Sequence, residues 1–322
     1  MKKLLSTLCA AAFLTLSASA TLAQTYPSKP IKIIVPFGPG GFTDVVARLL
    51  GLKLAEVLGQ PVVIENKAGA GSMIGTDYVA KAAPDGYTLV IVSSTHVISP
   101  WIYKNVPYDP IKGFTAVTKL VDSPYVLLLN PKVPAKNVQE FIALAKKNPE
   151  DIHYASSGNG SAQHLIGGLF ISMTGAPLKH VPYRSSNAAS TDLVAGVVES
   201  SFAGVPNALA QVPNGRLKAL AVTSAKRIPQ LPNVPTMQEA GVAGYDASIW
   251  LGMLAPAGTP KEVVNRLNSE VAKIMATPET KKAMFDAGVE VSLSTPEAMT
   301  QLMASELDKW GKVVKETGIK IE

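Results

Sequence analysis

Gly38, Gly40 and Gly41 fall within the segment Ile31–Leu50, IKIIVPFGPGGFTDVVARLL, between an apolar run and an amphipathic stretch. The run Ile31, Ile33, Ile34, Val35 fits a strand covered on both faces, and Pro36 cannot continue its ladder. Thr43 reads as a helix cap with Asp44 in the first turn and Val45, Val46, Leu49 and Leu50 facing inward. A flexible turn between a strand and a helix points backbone N–H groups at open space beside a positive helix end. The chemistry this supports is retention of an anion, a carboxylate or a phosphate. Phe37, beside the turn, reads either as core or as an apolar wall of the pocket. A second turn of this kind is Ser156-Ser157-Gly158-Asn159-Gly160-Ser161, which follows a short apolar run and opens a helix from Ala162.

Other chemistries find little support. Gly69, Gly71 and Gly75 follow a strand, yet the next strand ends at Val92 with Ser93-Ser94, not with the acidic or basic selector of a dinucleotide site. The G-x-x-x-x-G-K-[ST] phosphate loop and the G-x-S-x-G nucleophile elbow are both missing from the chain. His96, His153, His164 and His180 lack a metal-ligand spacing, and His164 fits packing, a cap or ligand contact equally well. Cys9, the sole cysteine, lies in the first segment, which excludes thiol chemistry from the rest of the chain. No cofactor and no metal are expected.

The elements that must position the turns follow a strand–helix alternation. Pro61–Glu65 and Thr88–Val92 read as strands, with a second glycine-rich turn at Asn66–Ser72 and a helix to about Ala83. Such spacing argues for a parallel sheet whose loops gather at the carboxyl ends of the strands. Ser93 and Ser94 would then face the same crevice as Phe37–Thr43. Strands at Ala116–Val121 and Tyr125–Leu129 flank a crossing into a second αβ pattern. That pattern comprises a helix over Pro134–Lys147, strands at Ile152–Ala155 and Lys179–Pro182, a helix through Leu193, and strands near Glu199–Phe202 and Leu217–Thr223. Tyr245–Leu254 carries the chain back. Thr259, Thr277 and Thr295 each precede a proline as helix caps, with Glu262 completing a capping box, and Gly288 ends the second of these helices. The expected fold is α/β, with two lobes hinged as a clamshell, each a mainly parallel sheet flanked by helices. One lobe takes residues 24–122 and 247–322, the other 123–246.

Lys2 and Lys3, the apolar run Leu4–Leu16 and the small residues after it form the pattern of a secretory signal peptide over residues 1–23. Removing its two lysines lowers the formal charge from +6 to +4, an excess too diffuse to argue for nucleic acid. Export into a bacterial periplasm, as a monomer, is the expectation.

The chain resembles the substrate-binding proteins of tripartite tricarboxylate transporters, the Bug proteins. The resemblance rests on Tyr26-Pro27-Ser28-Lys29-Pro30, Pro36–Asp44 with Ala47-Arg48, Glu65–Gly71, Pro84-Asp85-Gly86-Tyr87 and Tyr154–Gly158. It continues through Gly160-Ser161 with His164-Leu165, Val181-Pro182-Tyr183, Pro232–Thr236 and Ala255–Pro260, covering essentially the whole mature chain. It implies a periplasmic, type II binding-protein fold that closes on a small organic carboxylate and delivers it to membrane permease subunits. It also implies that the carboxylate is held by two facing turns, Phe37–Thr43 and Ser156–Ser161, without catalysis.

This chain departs from the family pattern after Pro182-Tyr183, where Arg184-Ser185 replaces the common lysine and glycine, and at Glu199, where aspartate is usual. Arg184 reads as a solvated charge or as the partner of a second acidic group on the ligand. Phe202 and Gly204, in Phe202–Pro206, read as a border of the pocket. A sensory binding protein and an exported enzyme on the same scaffold are the alternative readings.

Overall fold

Ile31–Val35 forms strand β1, whose residues other than Lys32 are buried because sheet and helices cover both faces. The structure is a computed structural model that describes residues 26–40 and 42–318. The segment read as a signal peptide, Cys9 and Gly41 lie outside the described residues. After β1 come helix α1 (Phe42–Leu58), β2 (Val62–Asn66), α2 (Met73–Ala80), β3 (Thr88–Ser93), α3 (Thr95–Ile102) and β4 (Phe114–Ser123). The chain then enters β5 (Tyr125–Leu129), α4 (Val138–Lys147), β6 (His153–Ser156), α5 (Ala162–Thr174) and β7 (Lys179–Pro182). There follow α6 (Ser186–Ala195), β8 (Ser200–Gly204), α7 (Val205–Gln211) and β9 (Lys218–Val222). Strand β10 (Ile249–Pro256) returns the chain, followed by α8 (Lys261–Ala276), α9 (Pro278–Asp286), β11 (Glu290–Val291) and α10 (Pro296–Thr317).

Two sheets result, ordered β11-β4-β10-β3-β1-β2 and β7-β6-β8-β5-β9. Both are mixed, which corrects the expectation of mainly parallel sheets. β1 pairs in parallel with β2 and β3, while β10 runs antiparallel between β3 and β4. In the second sheet β6 is parallel to β7 and β8, but β5 is antiparallel to β8 and β9. Strands β4, β5 and β10, which flank the crossings between the sheets, make antiparallel pairs, and so does β11 at the edge of the first sheet. The described architecture is α/β, two mixed sheets with covering helices.

Helix α10 bridges the two halves. Trp310 is fully buried with Val313 and Val314 in a core that also takes Ile98 and Ile102 of α3 and Phe170 of α5. Gly311 allows the approach: a Cβ there would fall 2.6 Å from the Trp101 ring, whose Nε1 donates to Leu307 O at 2.8 Å. No described helix is long and apolar enough to cross a membrane.

Several local expectations shift. Helix α1 begins at Phe42, so Thr43 is a buried residue inside it and not its cap. Val46, Ala47 and Leu50 face the core while Val45 is exposed, since adjacent positions are about 100° apart around a helix. The helix expected from Pro134 starts at Val138, where the Asn137 side chain accepts from Glu140 N at 2.9 Å and Glu140 returns to Lys136 N at 2.7 Å. Thr277 and Thr295 cap α9 and α10 as read. Thr259 does not cap α8: it donates to Pro256 O at 2.8 Å, one position too early for the helix, and the capping box with Glu262 is not made. Helix α3, with Pro100 inside it, and the short α7 went unread, the first because a proline ordinarily ends a helix.

The face of α1 that is buried can be checked directly. Leu50→Ala is expected to cost about 2–5 kcal/mol in urea unfolding, whereas Val45→Ala should stay within about 0.5 kcal/mol of the unsubstituted protein.

Candidate functional site

The turn after β1 is held from beneath by one carboxylate. Asp44 is 2% exposed, and its Oδ2 accepts from Gly40 N at 2.8 Å and from Arg48 Nε at 2.9 Å. Its Oδ1 accepts from Asn66 Nδ2 at 2.8 Å, and the same amide group donates to Phe37 O at 3.1 Å. Arg48 closes the ring by donating to Asn66 Oδ1 at 2.9 Å. The Arg48 guanidinium, helped by Gly40 N–H and Asn66, pulls the Asp44 carboxyl down to about 2 against its burial. Since Gly40 gives its N–H to Asp44, it has none to offer a bound anion. Gly40 therefore shapes the turn, at φ 76°, and does not supply the donor that the sequence suggested.

The second turn is built by the same economy of internal bonds. Ser156 Oγ lies 2.6 Å from His180 Nε2 and accepts from Gly158 N at 3.0 Å. Ser157 N donates to Gln163 Oε1 at 2.8 Å, and Gly160 N donates to His164 Nδ1 at 3.0 Å. Ser161 caps α5 by accepting from His164 N at 3.3 Å, which leaves its hydroxyl proton for a partner in front of the helix. The rings of His164 and His180 stack with centroids 3.8 Å apart and planes within 5°. Burial holds both imidazoles down to about 4, and for His180 the neighbouring His164 adds to the effect. His164 Nδ1 must be unprotonated to accept from Gly160, so its proton sits on Nε2. Sequence spacing alone gave no sign of this pair.

Between the turns lies a cavity of about 350 Å³, with Phe37 and Gly38 on one side and Asn159, Gly160 and Ser161 on the other. Thr95, Ser99 and Tyr103 of α3 complete its wall, together with Gly71 and Ser72. Gly71 fits only as glycine: its φ is 61° and a Cβ would meet the Tyr103 hydroxyl at 2.3 Å. A larger cavity of about 680 Å³ starts at Gly40 and Phe42 and runs along α6 and α7, past Ser123, Tyr125 and Gly204. Neither lining contains a charged side chain. Hydroxyls, amides and the N-terminal end of α5 are what these cavities offer, a set that suits an anion held without an ion pair.

The expected site residues divide accordingly. Phe37, Gly38, Gly160 and Ser161 line the smaller cavity, and Gly40 and Gly204 the larger. Ser156, Ser157 and Gly158 stand behind the second turn and hold its shape. His164 lines a different cavity, of about 590 Å³, with His180 and Tyr154. Ser93 bonds Thr95 at 2.7 Å, Ser94 is fully buried, and Thr95 presents the wall in their place. Thr43 is buried, Phe202 is fully buried in the core, and Arg184 is exposed and lines neither cavity. Glu199 accepts from His153 N at 2.8 Å and meets His153 Nδ1 at 2.9 Å, a tie between β6 and the start of β8. Among the described residues no group of His, Cys, Asp and Glu is placed to hold a metal. The α3 wall and the polar face of α7 were missed because neither segment was read as a helix, and α6, though read as a helix, gave no local sign that its polar face lines a cavity.

Two expectations follow. Asp44→Ala leaves Gly40 N–H and Asn66 without their acceptor and should cost about 1–3 kcal/mol in chemical unfolding. The two stacked histidines should titrate near pH 4 in imidazole NMR spectra. Unfolded histidine takes up its proton near 6.5 while the folded rings resist it, so stability should fall as pH drops from about 6.5 to about 4 and be fully present above that window.

A family model described as tripartite tricarboxylate transporter family receptor matches residues 46–319. Protein BugT of Bordetella pertussis is 38% identical over 307 residues, 95% of this chain and 94% of that protein. Two solved structures extend the similarity. Rpa4515 of R. palustris with adipate is 35% identical at a TM-score of 0.79, covering 92% of this chain and 99% of that one. MatC from Rhodopseudomonas palustris with bound malate is 32% identical at a TM-score of 0.76, covering 90% and 100%.

Proposed function

We propose that this chain, which belongs to the tripartite tricarboxylate transporter receptor family, is a periplasmic receptor that captures a small carboxylic acid and delivers it to membrane permease subunits. The observation that carries this reading is the facing of two turns, Phe37-Gly38 and Asn159-Gly160-Ser161, across one uncharged cavity. A carboxylate seated there meets the Ser161 hydroxyl and the N-terminal end of α5, with Thr95 on the α3 wall. Charge-assisted bonds of this kind contribute about 1.5–3 kcal/mol each, so a few reach the roughly −8 kcal/mol of micromolar binding. That relatives of this length were solved with adipate and malate supports a carboxylate over a phosphate.

The two sheets serve as the lobes of a clamshell, residues 24–122 with 247–322 and residues 123–246, with the chain crossings near Ser123 and Asp246 as the hinge. An acid that touches both turns binds the closed arrangement more tightly than the open one and shifts the population toward it. The closed form is the one the permease reads. Residues 1–23 direct export and are removed, and the mature chain acts as a monomer. Among the described residues, neither of the two cavities beside the first turn is lined by a charged side chain, which supports carriage of the ligand unchanged.

A thermal-shift screen of organic acids on purified protein tests this reading. A ligand at 100 times its dissociation constant adds about 2.7 kcal/mol to stability, enough to raise the melting temperature by several degrees. If no carboxylate raises it while sugars or cations do, the reading fails. A Cβ at Gly38 meets nothing within 4 Å, so Gly38→Val should melt like the unsubstituted protein without ligand yet bind the acid at least ten-fold more weakly. Unchanged affinity would remove this turn from the site.

A further inference from the structure

The geometry points to a ligand with a single carboxylate and an uncharged tail that carries hydrogen-bonding groups. This deepens the proposed function and rests on it: the carboxylate end is taken to sit between the two turns. The tail is placed in the cavity of about 680 Å³ whose lining starts at Gly40 and Phe42, in the same turn that gives Phe37 and Gly38 to the smaller cavity. Its two walls differ. Phe42 and Val45 of α1, with Ala287 and Val289, give an apolar face, and the exposed position of Val45 on α1 is explained by that role. Ser186, Asn187, Ser190, Thr191, Asn207 and Gln211, on α6 and α7, give a face of hydroxyls and amides.

No Lys, Arg or His belongs to this lining. Arg184, the basic residue that precedes α6, is exposed outside it, and Arg48 of α1 is bonded to Asp44 and Asn66. A second carboxylate drawn into this space would leave water without a cation to meet it. The polar wall adds to the point. Asn207 Oδ1 and Gln211 Oε1 are buried without a hydrogen-bond partner among the described residues, and a ligand reaches them only if the side chains turn outward. The hydroxyls of Ser186, Ser190 and Thr191 and the Asn187 amide both donate and accept. A ligand hydroxyl or amide can meet them in either role, while an ionised carboxylate brings only acceptors. A hydroxyl-bearing or amide-bearing monocarboxylic acid, flat or apolar on one side, fits both walls.

Paired acids with the same skeleton test this by calorimetry on the full mature chain. The pairs are 6-hydroxyhexanoate against adipate, and 4-hydroxybenzoate against terephthalate. In at least one pair the hydroxy acid is expected to bind at least ten-fold more tightly than its diacid. Equal affinities, or tighter diacids, would overturn the inference while leaving the carboxylate site in place. Binding of none of the four, and of no other acid in the screen, would overturn the carboxylate reading and this inference together. Asn187 is exposed on the polar wall, so Asn187→Lys should fold normally. It should shift the ratio of affinities toward the diacid by ten-fold or more. An unchanged ratio in a variant with an unchanged melting temperature would place the tail elsewhere and overturn the inference.

Discussion

The carboxylate of Asp44 ties the turn after β1 and the helix that follows it to the end of β2, 22 residues further along the chain. It is buried, ionised and met on both oxygens, by a guanidinium, a backbone N–H and a side-chain amide. Such a group is stable only as a whole, because loss of any partner leaves a desolvated polar atom behind. The turn is therefore tied down at Gly40 and Phe37 although it is rich in glycine.

The second turn is tied down by other means. His164 and His180 replace the carboxylate, with neutral rings that accept from Gly160 and meet Ser156. Each turn is thus shaped by side chains behind it, which leaves the face toward the cavity to hydroxyls, remaining amides and an apolar wall. The two cavities beside the turns are accordingly lined without a charged side chain.

The two halves are joined by parts that lie away from both turns. Strands β4, β5 and β10 carry the crossings, and α10 lies against α3 on one side and α5 on the other. Helix α3 therefore takes part in two jobs, since Thr95, Ser99 and Tyr103 face the cavity while Ile98 and Ile102 join the core under α10. Occupancy of the cavity and the packing that links the halves share one helix.

Local signals in the sequence determined much of this protein. The apolar run Ile31–Val35, the glycine turns, the caps Thr277-Pro278 and Thr295-Pro296 and the collinear motifs placed the strands, most helices and both turns, because these depend on backbone propensity over a few residues. Tertiary structure decided what depends on partners distant in the chain. Gly40 was legible as a turn residue, but only Asp44 folding back onto it shows that its N–H is spent. Val45 and Val46 are equally apolar, and the angle at which α1 lies on its sheet sends one to the cleft and the other to the core. The stacking of His164 on His180, the antiparallel entry of β10 and the exposure of Arg184 outside the cavities follow from packing that no local pattern encodes. The Ile31–Leu50 segment announced a turn suited to an anion, and α3, α6 and α7 supply the walls of the two cavities beside it.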